Sequence, residues 1–262
     1  LFGNARLWRP SNLGSSLAVW LDAEDASSIT LNGSTVSQWN DKSGNGINIS
    51  QAVGTQQPLY SATGPLGKQT IIFDGVDDVL FTDTGLNGLS NVSLFAVMRY
   101  VSVGGGGADL PLGIGETSSV GRVRAFFKAT GGTTLGFAGW ANDVTASAYN
   151  LDVGGAYHIF FAGNTKLSVP NNVFIGRDGL STTYSTTGGS LNTTSPGFSV
   201  GSLRGNLVGT YYSNVELAEI VVAPEALDVI NSQTLEGYLA WKWGLEGSLP
   251  IAHPYRDTPP VV

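Results

Sequence analysis

Short apolar runs, rich in β-branched and aromatic residues, are broken every eight to fifteen positions by Gly, Asn, Asp, Ser or Thr along nearly the whole chain. That rhythm predicts antiparallel strands joined by turns, the pattern of a β-sandwich. "SLAVWLDAED" predicts a strand over 17–21, with Asp25 capping a single helical turn. "TLNGSTVSQW" alternates around Asn32-Gly33 and predicts a hairpin, and "NDKSGNG" is a turn cluster. "KQTIIFDGVDDVLFT" reads strand, turn, strand, and "NVSLFAVMRYVSV" is the longest uninterrupted strand. "GGGGADLPLG" is expected to be a loop, and "STTYSTTGGSLNTTSPG" an exposed loop or hairpin. Further strands are expected over 123–128, 135–140, 156–162, 173–177, 198–201 and 217–222.

The last part of the chain changes period. Leu227, Ile230, Leu235, Tyr238 and Leu239 follow helical spacing, predicting one helix over about 225–243. Pro224 suits its first turn, Glu225 and Asp228 favour its start, and Lys242 favours its end. Gly244 supplies the stop. Gly237 inside the helix costs about 1 kcal/mol relative to Ala, so something is expected to lie close against it. Residues 1–16 carry apolar side chains without a clear period. They read as an arm that needs a surface, its own domain's or a neighbour's, while 17–262 reads as a single domain with a Pro-rich tail.

Composition narrows the function. Charged residues are 13% of the 262, about half of the roughly 25% usual in soluble domains. The surface is therefore Ser, Thr, Asn and Gly, as in extracellular and virion β proteins. A net charge of −7 without a Lys/Arg cluster argues against nucleic acid. Arg122, Arg124 and Lys128 alternate like the solvated face of a strand. The absence of cysteine removes disulfides, thiolate metal sites and cysteine nucleophiles. No apolar run approaches the roughly 18 residues of a membrane span, and no charged-then-apolar leader opens the sequence.

"SLAVWLDAEDASSITLNGSTVSQWNDKSGNG", "QPLYSATGPLGKQTIIFDGVDDVL", "NVSLFAVMRY", "FSVGS…VELAEIVVAP" and "LEGYLAWKWGLEGSLPIAHPY" occur in that order. Together they resemble the concanavalin A-like, laminin G-like jelly-roll domains of bacterial surface proteins and of tailed-bacteriophage virion proteins. The resemblance covers most of 17–257, with 103–195 matching in strand rhythm alone. It implies an all-β, antiparallel sandwich whose single C-terminal helix packs across the sandwich edge. Trp241, Trp243 and Tyr255 would then seal one end; the alternative, a sugar-stacking aromatic platform, is the lesser reading because aromatics on a helix are usually core. It implies much less about function, since this fold hosts lectins, hydrolases and structural modules alike.

No catalytic residue is assigned. "GFSVG" matches the G-x-S-x-G elbow, but "SLRGNLVG" after it cannot begin the helix that motif needs, so 198–200 reads as a strand. "GPLGKQT" fails as a phosphate loop because Gln69 stands at the metal-holding position. Glu216 and Glu219 are three apart and are expected on opposite strand faces, which denies a glycosidase pair. His158 reads as a strand residue with a structural role. No metal or other cofactor is assigned. Asp41, Ser43 and Asn45 look like half of a calcium loop, for which Asp74, Asp77 and Asp78 are the natural completion, but bonds to their own turn backbones are the favoured reading.

The expected function is a non-enzymatic structural protein of a bacteriophage virion, a capsid decoration or tail-fibre module on the particle surface. Leu1, Phe2, Leu7 and Trp8 would dock against other virion proteins or copies of the chain. The alternative is an extracellular or viral carbohydrate-binding adhesin for host-surface glycans, with Trp39, Trp140 and Tyr149 as the stacking residues. Neither reading involves nucleic acid or membrane insertion.

Overall fold

The structure is a computed structural model. It describes residues 6–104, 109–115, 123–130, 134–139, 142–165, 171–186, 193, 197–203 and 211–262. The strand Val92–Ser102 lies at its centre, antiparallel to His158–Thr165 on one side and to Asn214–Ala223 on the other. Beyond His158–Thr165 come Asn171–Arg177 and Leu180–Thr186. Asn214–Ala223 continues the sheet through Val19–Asp22 at one end and Thr70–Asp74 at the other. From there the pairing runs through Leu59–Ser61, Thr35–Trp39, Ile49–Ser50, Leu80–Thr82 and Phe198–Val200. It ends with Leu112–Gly115, Val123–Thr130, Thr134–Ala138 and Val144–Asn150. The sheet curls nearly closed, and the Tyr149 hydroxyl comes 3.2 Å from the Thr182 hydroxyl across the gap. The protein is a jelly-roll-like antiparallel β-sandwich with a C-terminal helix.

Alternation along the strands divides the apolar residues between two cores. Leu94, Ala96, Met98, Phe160, Ala162, Leu217, Ile220 and Val222 face the interior, where Trp39, Phe73, Phe126 and Phe137 fill the space. Phe95, Val97, Ile159, Phe161, Ala218 and Val221 face outward and are covered by Leu235, Leu239, Ala240 and Trp243 of the helix. The helix therefore lies on the outer sheet face. The expected end seal is corrected in position: Trp243 is fully buried there, whereas Trp241 remains 36% exposed.

The helix spans Val229–Trp243, shorter than expected at its start. Asp228 is the N-cap, accepting from the Asn231 amide at 2.7 Å, and Gly244 closes the helix in the left-handed conformation. Pro224–Leu227 lead in from the last strand, with the Leu227 N–H donating to Ser93 Oγ. The Lys68 ammonium donates to the Lys242 carbonyl at 2.8 Å, a positive charge on the negative end of the helix.

The Asn32-Gly33 hairpin joins Ile29–Asn32 to Thr35–Trp39 as expected. Several strands go beyond the sequence reading. Ile49–Ser50, Leu59–Ser61 and Val144–Asn150, whose "VTASAYN" carries few large apolar residues, are not among the expected strands. Leu112–Gly115 begins at the end of the expected loop, and Leu180–Thr186 takes up the start of the expected polar loop or hairpin. Arg124 is also corrected: it is fully buried and points inward, its Nε donating to Asn164 Oδ1 at 2.7 Å and its Nη2 to the Leu89 and Ser90 carbonyls. Burial lowers its pKa to about 10. Arg122 lies outside the described residues.

Candidate functional site

The chain's two ends meet beside the helix. The Trp8 N–H donates to the Pro260 carbonyl at 3.0 Å, Leu7 bridges Val261, and the Val262 N–H donates to the Arg6 carbonyl. Trp8 packs edge-on against Tyr238, with ring centroids 5.9 Å apart. The described part of the arm thus lies on its own domain. Leu7 is exposed and Trp8 buried, while Leu1 and Phe2 lie outside the described residues.

Between these ends, the helix and the first strand opens a cleft of about 500 Å³. Trp20 and Asp22, two apart on Val19–Asp22, project from one face of that strand. Tyr238, Trp241 and Lys242 come from the helix, at spacings that share a face. Leu7, Trp8, Arg9, Pro259 and Pro260 form the wall made by the chain ends, and Glu24, Asp25 and Lys42 the opposite rim.

A chain of alternating charges runs under the cleft. The Lys42 ammonium lies 2.7 Å from Asp25 and 2.8 Å from Asp22, and 4.4 Å above the Trp20 ring. The Lys242 ammonium lies 2.6 Å from the other Asp22 oxygen and 2.7 Å from Glu219. Glu219, fully buried, also accepts from the Trp20 indole at 2.7 Å, the Trp243 indole at 2.6 Å and the Tyr238 hydroxyl at 2.9 Å. The three hydrogen bonds to Glu219 fix the side chains around it, with the Lys242 ammonium held at ion-pair distance. The hydrogen bond from Lys42 holds the Asp25 carboxyl down to about 2. Burial works against the Lys42 ammonium, but its bonds to Asp22 and Asp25 raise its pKa above the ordinary lysine value. Burial, helped by the Glu219 charge, raises the Tyr238 phenol.

The expectation for Glu216 and Glu219 is overturned. The register shifts between Leu217 and Glu219, and a bulge of this kind turns the following side chain to the other face. Both carboxylates therefore face the helix-covered side, Glu216 accepting from Tyr157 and pairing with Arg99 at 2.6 Å.

Of the stacking candidates, Trp39 is corrected: it is wholly buried in the interior core and offers no face to a ligand. Tyr149 is 9% exposed, its hydroxyl turned to Thr182. Trp140 lies outside the described residues. The loop at Asp41 follows the turn reading in part, since Asp41 and Asn45 also tie the loop to residues 17–20 rather than bonding their own turn alone. The Asp41 carboxylate accepts from the amides of Trp20, Ser43 and Ile47 and from the Ser43 hydroxyl, and Asn45 donates to the Leu17 and Ala18 carbonyls. Asp74, Asp77 and Asp78 do converge, with ligand atoms within 4.8 Å of one another, and this group does not include Asp41. Asp74 accepts from the Val76 amide and Asp78 from the Asp74 amide. His158 sits between Asp178 at 2.6 Å and Asp152 at 3.1 Å, a bracing role for a strand residue. "GFSVG" contains the strand Phe198–Val200, as expected.

Reading the sequence alone missed Trp20, Asp22, Lys42, Glu219, Tyr238 and Lys242 as a group. The available signal was the run "AVWLDAED" beside a helix bearing Tyr, Trp and Lys three and four apart.

No protein-family model matches the chain, and no curated protein sequence does. Among solved structures, Trypanosoma rangeli sialidase in complex with a difluorosialic acid has a TM-score of 0.50 at 14% identity, over 81% of this chain and 31% of that one. A second structure of the same sialidase gives 0.50 at 13%, over 87% of this chain and 33% of that one. A mutant GH54 α-L-arabinofuranosidase soaked with a nitrophenyl arabinofuranoside gives 0.50 at 10%, over 86% of this chain and 59% of that one. The chain spans less than two thirds of each of these proteins. At such identities the likeness is one of fold: a β-sandwich of the kind carried by carbohydrate-active enzymes.

Proposed function

We propose that the protein is a non-catalytic carbohydrate-binding module and that the cleft beside the helix is its binding site. The observation that carries this reading is the lining: Trp8, Trp20, Tyr238 and Trp241 beside Glu24, Asp25 and Lys42, around about 500 Å³. Mostly apolar clefts with a few fixed polar groups are what small ligands occupy. A sugar ring has an apolar C–H face for an aromatic wall and hydroxyls for carboxylates. The named neighbours act on sugars, which is consistent with this reading but comes from their names and not from a shared site. Asp22 and Asp25 are both spent on ammonium groups, a poor starting point for proton transfer, and this supports binding without cleavage. Such a module would work outside the cell or on a particle surface, with host or environmental glycans as partners. The test is a glycan array on purified protein, with calcium and with chelator. Specific signal lost in Trp241→Ala is expected, and a blank array in both conditions would overturn the reading.

The particle-structural reading keeps one observation in its favour. Leu7, Val261 and Val262, at 57%, 51% and 66% exposure, stand together on the paired chain ends and offer an apolar edge to a neighbouring subunit. On that reading the module is a jelly-roll of the laminin G-like kind in a virion. Replacing Leu7 and Val261 by Ser would then abolish incorporation into particles while leaving the fold intact. Truncating 1–12 would be a poorer test, since it removes buried Trp8.

A further inference from the structure

Resting on the reading of the cleft as a sugar site, we infer that it takes uncharged, hydroxyl-rich sugars and turns acidic sugars away. The reason lies in how its cations are used. Lys42 is held by two carboxylates, Asp22 at 2.8 Å and Asp25 at 2.7 Å, and its remaining face covers Trp20. Lys242 is held by two more, the second oxygen of Asp22 at 2.6 Å and Glu219 at 2.7 Å. Each ammonium is thus offset by carboxylates before any ligand arrives. An acidic ligand would have to compete with Asp22, which is 5% exposed, with Glu219, which is wholly buried, or with the partly exposed Asp25. Breaking a pair with Asp22 or Glu219 leaves an uncompensated buried charge, the costliest way to make room, and displacing Asp25 leaves its carboxylate beside the ligand's own.

Glu24 and Asp25 add negative charge at the rim, on a chain whose net charge is −7. A sialic or uronic acid carboxylate entering there meets like charge, from the partly buried Asp25 above all, since Glu24 is exposed and screened. Arg9 is the exception on the lining, but it is exposed at the mouth, where water and salt screen an ion pair. The same rim suits hydroxyls, because ionised carboxylates accept O–H donors strongly. The exposed part of Trp241 supplies an apolar face for the ring's C–H side. Asp22 and Asp25 act here as specificity-determining residues: they keep the two lysines from serving as an anion site.

The experiment is an array of matched pairs, each neutral oligosaccharide printed beside the same oligosaccharide ending in sialic or uronic acid, followed by calorimetric titration of the strongest pair. Wild type, Asp22→Asn and Asp25→Asn are compared, with thermal melts to show that each folds. Asp25 is partly exposed and its Asn replacement can still cap the Ser27 amide, so this variant stands in should Asp22→Asn fail to fold. The expected result is neutral glycans binding at least tenfold tighter than their acidic partners, with that ratio shrinking severalfold in a folded variant. Acidic partners binding equally or better would overturn the inference and leave the sugar site standing. A ratio unchanged in folded variants would overturn its charge-based cause. No binding by either member of any pair would remove the sugar reading, and the inference with it.

Discussion

Gly237 of the helix and Tyr255 of the tail touch so closely that a β-carbon on Gly237 would stand 2.5 Å from the Tyr255 β-carbon. This contact sets the path of the tail. The Trp241 indole donates to the Tyr255 carbonyl at 2.8 Å, and the Thr234 hydroxyl lies 3.1 Å from that of Tyr255. The tail then carries Pro259 and Pro260 to the cleft wall.

Replacing Gly237 by Ala sets two effects against each other. Helix propensity gains about 1 kcal/mol, and overpacking costs about 1–3 kcal/mol. The contact is with a β-carbon and ring atoms fixed by hydrogen bonds at both ends, so overpacking should win. The urea midpoint of Gly237→Ala is expected to fall by the equivalent of up to about 2 kcal/mol. A raised midpoint would show that the tail yields freely.

Glu219 makes the opposite kind of test, because its loss leaves donors without an acceptor. Glu219→Gln keeps one carbonyl oxygen for the Trp20 and Trp243 indoles, the Tyr238 hydroxyl and Lys242, and turns an NH2 toward the others. Breaking a buried ion pair costs roughly 3–5 kcal/mol, and a loss of that order is expected in denaturant titration. A change under about 1 kcal/mol would mean that the network is solvated.

Asp78 gives a pH signature. Burial pushes its carboxyl up to about 6, with Asp74 and Asp77 adding like charge and the Asp74 amide pulling the other way. The folded pKa lies above the unfolded value of 3.8, so its favourable contribution is complete below pH 3.8 and is lost as pH rises through about 6. Asp78→Asn should therefore melt higher than wild type at pH 8 and close to it at pH 4. Its Oδ1 can still accept from the Asp74 amide. A lower melting temperature at pH 8 would contradict this and point to a cation held by the three carboxylates.

The sandwich, the hairpin at Asn32-Gly33 and the helix stop at Gly244 were legible because each depends on local chemistry: alternation, turn preference and a left-handed cap. Gly237 was legible for the same reason, as a local cost demanding a distant explanation. The cleft was not. Trp20 and Glu219 are 199 positions apart, and nothing local marks a glutamate that will accept two indoles and a phenol. The bulge after Leu217 hides it further, since strict alternation places Glu219 on the wrong face. Trp39 misled for the complementary reason: an aromatic beside a turn cluster reads as exposed, but as the last residue of its strand it faces the interior.

The central claim is where a sugar binds, and the tryptophan indole N–H signals report on that directly. In a titration of the strongest array ligand, followed by two-dimensional proton–nitrogen NMR, the signals of Trp241 and Trp8 are expected to move together in a saturable way, and that of buried Trp39 to stay in place. Shifts confined to Trp140, or saturable binding that leaves Trp241 and Trp8 unmoved, would contradict the account and place the site elsewhere on the sandwich.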